Sequence, residues 1–174
     1  QTPTTFWTSE DNVMKGLSAV YNPFRRMTSG YYGGLEGIMH LQMRGDDLYP
    51  TRGEEPYIWE YLSFVNTTNT KDLSWGNIYE GIQMANEFIY RAATVDMDET
   101  KREQMIGEAY FLRGFWYFRL RTDYRDAVIR TLPQDADPET HGLSSGDEVL
   151  EQAISDFKEA KSRLPKLRSS DENG

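Results

Sequence analysis

Residues 108–124 restrict the possible fold more than any other stretch of this chain. They crowd Tyr110, Phe111, Phe115, Trp116, Tyr117, Phe118 and Tyr124 into one segment with helical spacing. Ala109, Leu112, Trp116 and Leu120 fall on one stripe, and Phe111, Phe115 and Phe118 on another. A helix that is apolar most of the way round is packed on several sides, so this spacing predicts the central helix of an all-helical stack.

The flanking segments carry the same period. Val13, Leu17, Val20 and Phe24 form the stripe of a first helix starting at Thr8 or Ser9. Thr8 and Asp11 approximate a capping box there, and Phe6 or Trp7 is placed to staple the start. Pro23 is expected to kink or end this helix. A turn at residues 30–34 leads to a short helix through Leu35, Ile38, Met39 and Leu41, ending near Gly45. Trp75, Ile78, Tyr79, Ile82, Ala85, Asn86 and Ile89 trace one face of the next helix, with Asp72 or Ser74 as its cap. After an acidic turn at 96–100, the aromatic helix runs from about Thr100 to Tyr124. Residues 125–143 read as loop, with Val128-Ile129-Arg130 as a brief extended piece. Ser145 and Glu148 make a capping-box pair for a last helix whose stripe is Leu150, Ala153, Ile154, Phe157, Ala160 and Leu164. Pro165 stops it, and the polar tail at 169–174 is expected to fray.

Residues 45–72 show no steady period and hold clusters of Gly, Pro, Asp, Asn and Thr among Tyr49, Tyr57, Trp59 and Tyr61. An irregular segment this long inside a compact domain is usually functional. The expected architecture is therefore all-α: tetratricopeptide-like stacked antiparallel helix pairs, one helical domain over residues 1–174, with a long irregular loop at 45–72.

Charge and composition remove several function classes. A net charge of −9 argues against a nucleic-acid partner, because neutralising phosphates needs a basic surface. The absence of cysteine excludes disulfides, thiolate catalysis and cysteine metal ligands. His40 and His141 lie far apart and lack partners at metal-ligand spacing, so no metal site and no cofactor is expected. Asp135-Ala-Asp-Pro-Glu139 lacks the length, Gly and terminal Glu of a calcium loop and reads as a solvated acidic loop. No phosphate loop or nucleophile elbow occurs, and the carboxylates stand in no catalytic context. Asn86, Glu108 and Arg113 lie on apolar helical surfaces, where buried polar groups serve as hydrogen-bonded ties.

Five pieces in order resemble the N-terminal half of the SusD/RagB family, the starch-utilisation-type lipoproteins of Bacteroidetes outer membranes. They are Phe6-Trp7 followed by Gly16-Leu17-Ser-Ala-Val-Tyr21; Gly45-Asp46-Asp47; Trp75-Gly-Asn-Ile-Tyr79-Glu-Gly-Ile82-Gln-Met-Ala85-Asn86; Gly107-Glu108-Ala109-Tyr-Phe111-Leu112-Arg113-Gly-Phe-Trp-Tyr117-Phe118; and Ser145 through Leu164-Pro165. The chain departs from the family at Tyr124-Arg-Asp-Ala-Val128, where a Tyr-Gly-Asp-Val-Pro-like turn is usual. The resemblance implies a non-catalytic glycan-binding protein at the outer surface of the outer membrane, delivering oligosaccharide to a SusC-like TonB-dependent transporter barrel. It also implies that this chain is the N-terminal part of a longer protein, with a lipid-bearing Cys upstream of Gln1.

Sugar binding needs aromatic faces for pyranose rings and planar polar groups for hydroxyls. The irregular loop supplies both, which makes Asp46, Asp47, Arg52, Tyr57, Trp59, Asn66 and Asn69 the candidate glycan contacts. For Asp46 and Asp47 a turn-capping role or a calcium ion is the alternative, and for Trp59 packing of the loop onto the helices. At the level of the whole chain, the alternative reading is a tetratricopeptide-like scaffold for protein partners.

Overall fold

The computed structural model describes residues 6–25 and 75–166. The short helix and irregular loop expected between 30 and 72, the caps Asp72 and Ser74 and the polar tail lie outside the described residues. By internal contacts the chain divides into two compact units, Gln1–Val20 with Gly81–Gly174, and Tyr21–Glu80.

The described residues form four helices: α1 (Glu10–Arg25), α2 (Trp75–Ala92), α3 (Glu99–Asp123) and α4 (Gly146–Arg163). Among them there is no named strand, and the extended piece expected at 128–130 reduces to one antiparallel bridge between Ala127 and Ser144. Pro23 sits inside α1 and does not end it. The start of α1 is held by Trp7, whose ring meets Phe88 edge-on at 5.8 Å, and by Asn12 Nδ2, which donates to Phe6 O at 2.7 Å. Within the smaller unit, Ile78 is fully buried and Trp75 packs against Tyr79 with ring centroids 4.9 Å apart.

Local chemistry sets the ends of the later helices. Asp98 caps α3 by accepting from Lys101 N at 2.9 Å, which satisfies one of the unpaired N–H groups of the first turn. Ser145 and Glu148 form the full reciprocal capping box of α4. The bonds from Ser145 hold the Glu148 carboxyl below the usual carboxylate range.

The core of the larger unit is built from the first of the two expected α3 stripes. Ala109, Trp116 and Leu120 are fully buried, with Leu112 almost so. Facing them are Ile82, Ala85 and Phe88 of α2 and Val149, Ala153 and Ala160 of α4, all buried. Each such Val, Leu, Ile or Phe contributes roughly 1.5–3 kcal/mol through burial. Two glycines permit the close approach: a Cβ on Gly81 would overlap the Trp116 indole, and one on Gly114 would stand 3.1 Å from the Ala153 carbonyl oxygen.

Two expectations need correction. Phe111 and Phe118 are 49% and 41% exposed, so α3 buries about half its circumference and its second aromatic stripe faces outward. The buried face of α4 keeps Ala153 and Ala160 of the expected stripe but is rotated to take in Val149 and Asp156, leaving Ile154 exposed. Small residues, Gly114 on α3 and Ala153 on α4, sit where the two backbones approach, while α3 also buries Trp116 and Tyr117 in full.

Candidate functional site

Asp46, Asp47, Arg52, Tyr57, Trp59, Asn66 and Asn69 all lie outside the described residues, in the segment that separates α1 from α2 in sequence. The concentration of polar chemistry within the described residues is elsewhere. It is an open cleft of about 640 Å³ in the larger unit, bordered by the end of α2, the middle of α3, residues 131–132 and the outer flank of α4.

Its floor is the Arg113 guanidinium, carried on α3 and only 4% exposed. Arg113 Nε and Nη2 donate to Asp156 Oδ2 and Oδ1 of α4 at 2.9 and 2.7 Å, a bidentate pair. Nη1 donates to Asn86 Oδ1 of α2 at 2.8 Å and to the Thr131 carbonyl at 2.9 Å. Burial works against the Arg113 charge, but the hydrogen bonds and negative charge of Asp156 outweigh it, so its pKa is raised. Gln152 Nε2 donates to Asp156 Oδ1 at 3.0 Å, completing the shell of that carboxylate.

The same network fastens the connection between α3 and α4. Asn86 Nδ2 donates to the carbonyls of Arg130 and Leu132 at 2.9 and 3.3 Å. The Tyr117 hydroxyl donates to Arg130 O at 2.5 Å and accepts from Arg130 N at 2.8 Å. Asn86 and Arg113 thus serve as the buried ties expected of them. The acidic loop is largely solvent-exposed, as expected, and is also tied at several points: Asp135 pairs with Arg91, Asp137 lies 2.6 Å from His141 Nε2, and Arg130 Nη2 donates to Glu139 O at 2.8 Å.

Sequence reasoning missed Asp156, Gln152 and Tyr117 as members of this network. Asp156 did carry a signal, as the one acid in line with Val149, Ala153 and Ala160 on α4. Nothing local could pair it with Arg113 across 43 residues. Among the described residues no group of His, Cys, Asp or Glu could hold a metal ion, and no helix is long and apolar enough to cross a membrane.

A family model described as starch-binding, associating with the outer membrane, matches residues 42–172. The chain belongs to the SusD-like family. SusD-like protein P38 of Formosa agariphila is 26% identical over 170 residues, covering 94% of this chain and 32% of the relative. SusD-like protein P2 of the same organism is 27% identical over 154 residues, covering 85% of this chain and 30% of the relative. Among solved structures, a laminarin-binding SusD-like protein superposes with a TM-score of 0.79 at 25% identity, over 96% of this chain and 37% of that one. A SusD superfamily protein from Bacteroides vulgatus gives 0.80 at 24% identity, over 94% and 36%. The helical stack described above is thus the tetratricopeptide-like SusD-like fold, and this chain spans about a third of the length of these relatives.

Proposed function

We propose that this SusD-like chain is the helical part of a cell-surface glycan-binding subunit of a TonB-dependent nutrient-uptake complex, which captures oligosaccharide without breaking bonds. The observation that carries the reading is the match of the starch-binding family over residues 42–172. The laminarin-binding relative supports the same class of ligand. In this reading the aromatic and amide groups of residues 46–69 contact the sugar, with Trp59 stacking on a pyranose ring and Asp46, Asp47, Arg52, Asn66 and Asn69 holding hydroxyls. The buried helices supply the rigid support that positions such a segment. A SusC-like barrel is the partner that receives the sugar, and a lipid anchor holds the protein at the outer face of the outer membrane.

The test is isothermal titration of the full gene product with maltoheptaose and laminariheptaose, alongside Trp59→Ala. Binding by the wild type is expected, weakened roughly tenfold in the variant, as loss of one stacking contact implies. Absence of binding to both sugars and to a wider glycan panel overturns the reading for those ligands. Release of reducing ends during the titration overturns its non-catalytic part.

A further inference from the structure

The cleft over Arg113 is set apart by what its polar groups leave unused. A guanidinium carries five N–H donors. The bonds of Nε to Asp156, of Nη1 to Asn86 and Thr131, and of Nη2 to Asp156 occupy four of them. The remaining one belongs to Nη2, in a group that lines the cleft. Gln152 is oriented by its donation to Asp156, which leaves its Oε1 as an acceptor. Ser155, exposed on the wall between Gln152 and Glu159, adds a hydroxyl that both donates and accepts.

The one cation among the described residues lining the cleft is already paired. Arg113 is paired with Asp156, and Glu159 shares Arg163 with Glu103. An anionic ligand would find no unpaired cation among these lining residues, whereas an uncharged hydroxyl-rich one would find a donor and acceptors. The apolar share of the lining comes from Ile89, Leu132 and two tyrosines. Tyr110 is held between the guanidiniums of Arg113 and Arg163, 5.1 and 5.0 Å from its ring centre. Tyr90 has a single guanidinium, that of Arg91, 5.3 Å from its ring centre and is 44% exposed, so it is the ring with more surface to offer a sugar. The volume lies within the usual range of small-molecule sites.

We infer that this cleft is a second glycan subsite, built from residues outside the segment around Trp59, which takes an uncharged sugar residue with Tyr90 as platform and Arg113, Gln152 and Ser155 as hydroxyl partners. The inference rests on the glycan-binding reading. Its reach is different: it places a contact on the helical stack itself, so that a long oligosaccharide or a second chain is held there.

The experiment is hydroxyl-radical footprinting of the full gene product with and without maltoheptaose or laminariheptaose, combined with titration of two variants. Ser155→Trp fills the cleft from an exposed position, and Tyr90→Ala removes the platform; circular dichroism checks that both fold. The expected result is that Tyr90 is labelled in the free protein and protected by sugar. Protection is lost in Ser155→Trp, and each variant loses either one equivalent of bound sugar or roughly tenfold in affinity. Unchanged Tyr90 labelling in a protein that does bind sugar overturns the subsite and leaves the general reading standing. A Tyr90 already protected without sugar, as when another stretch of polypeptide fills the cleft, also overturns it. No sugar binding at all overturns both.

Discussion

Arg113 keeps its charge where water scarcely reaches it, at 4% exposure, beside an Asp156 that is 1% exposed. Desolvating two ions costs several kcal/mol each, and their attraction compensates only when geometry and further hydrogen bonds are good. Here both conditions hold: the contact is bidentate, and Asn86, Thr131 and Gln152 satisfy the remaining groups. Even so, such a pair adds little net stability over an apolar replacement, and removing one side is worse than removing both. Arg113→Met, which strands the carboxylate, is expected to cost about 3–5 kcal/mol in urea unfolding. Arg113→Met combined with Asp156→Leu is expected to recover most of that loss. A double variant as unstable as the single one would show that the ties to Asn86 and Thr131, and not the ion pair, hold the region.

At the scale of elements, the connection after α3 shows how geometry outlasts the residue best suited to it. The helix closes at Tyr124, and Arg125 follows at φ 71, the left-handed region that a Cβ disfavours. This is the place where the family resemblance leads one to expect Gly. The departure at Arg125 leaves the turn in its left-handed form and loads it with strain. Arg125→Gly should relieve about 1–2 kcal/mol of steric cost and give back up to about 1 kcal/mol through the freer unfolded chain. Its net gain of roughly 0.5–1 kcal/mol corresponds to about 1–4 °C in a thermal melt of a domain this size. No rise in Tm would mean that the Arg125 stem, which packs on Gly146, stabilises as much as the turn costs. Helix positions were readable from sequence because they depend on neighbours three and four residues away, as was the Ser145–Glu148 box, whereas the Asp98 cap was not singled out within the acidic turn that holds it. Which stripe faces inward was harder. Hydrophobicity marks Phe111 and Phe118 as core, but the close approach at Gly81 and Gly114 decides where the partners of α3 lie.

On the scale of the whole molecule, legibility falls with sequence separation. The order of helices and the family were both present in local patterns, so the fold was readable. The glycan candidates around Trp59 rest on residue types alone, in a segment without a period that would fix where any side chain points. The cleft was invisible, because it is assembled from Tyr90, Arg113, Leu132 and Gln152, which no pattern connects. That assembly also has a consequence for how the protein is made. Arg113 leaves the ribosome 43 residues ahead of Asp156. At about 5–20 residues per second this is an interval of roughly 2–9 s. Until it ends, α3 lacks the α4 residues that pack against it, and Arg113 lacks its carboxylate. A version ending at residue 150 is accordingly expected to lack a cooperative melt and to bind chaperones, where one that includes α4 melts sharply. The aromatic helix is thus a late beneficiary of translation: it cannot settle until the ribosome has moved well past it.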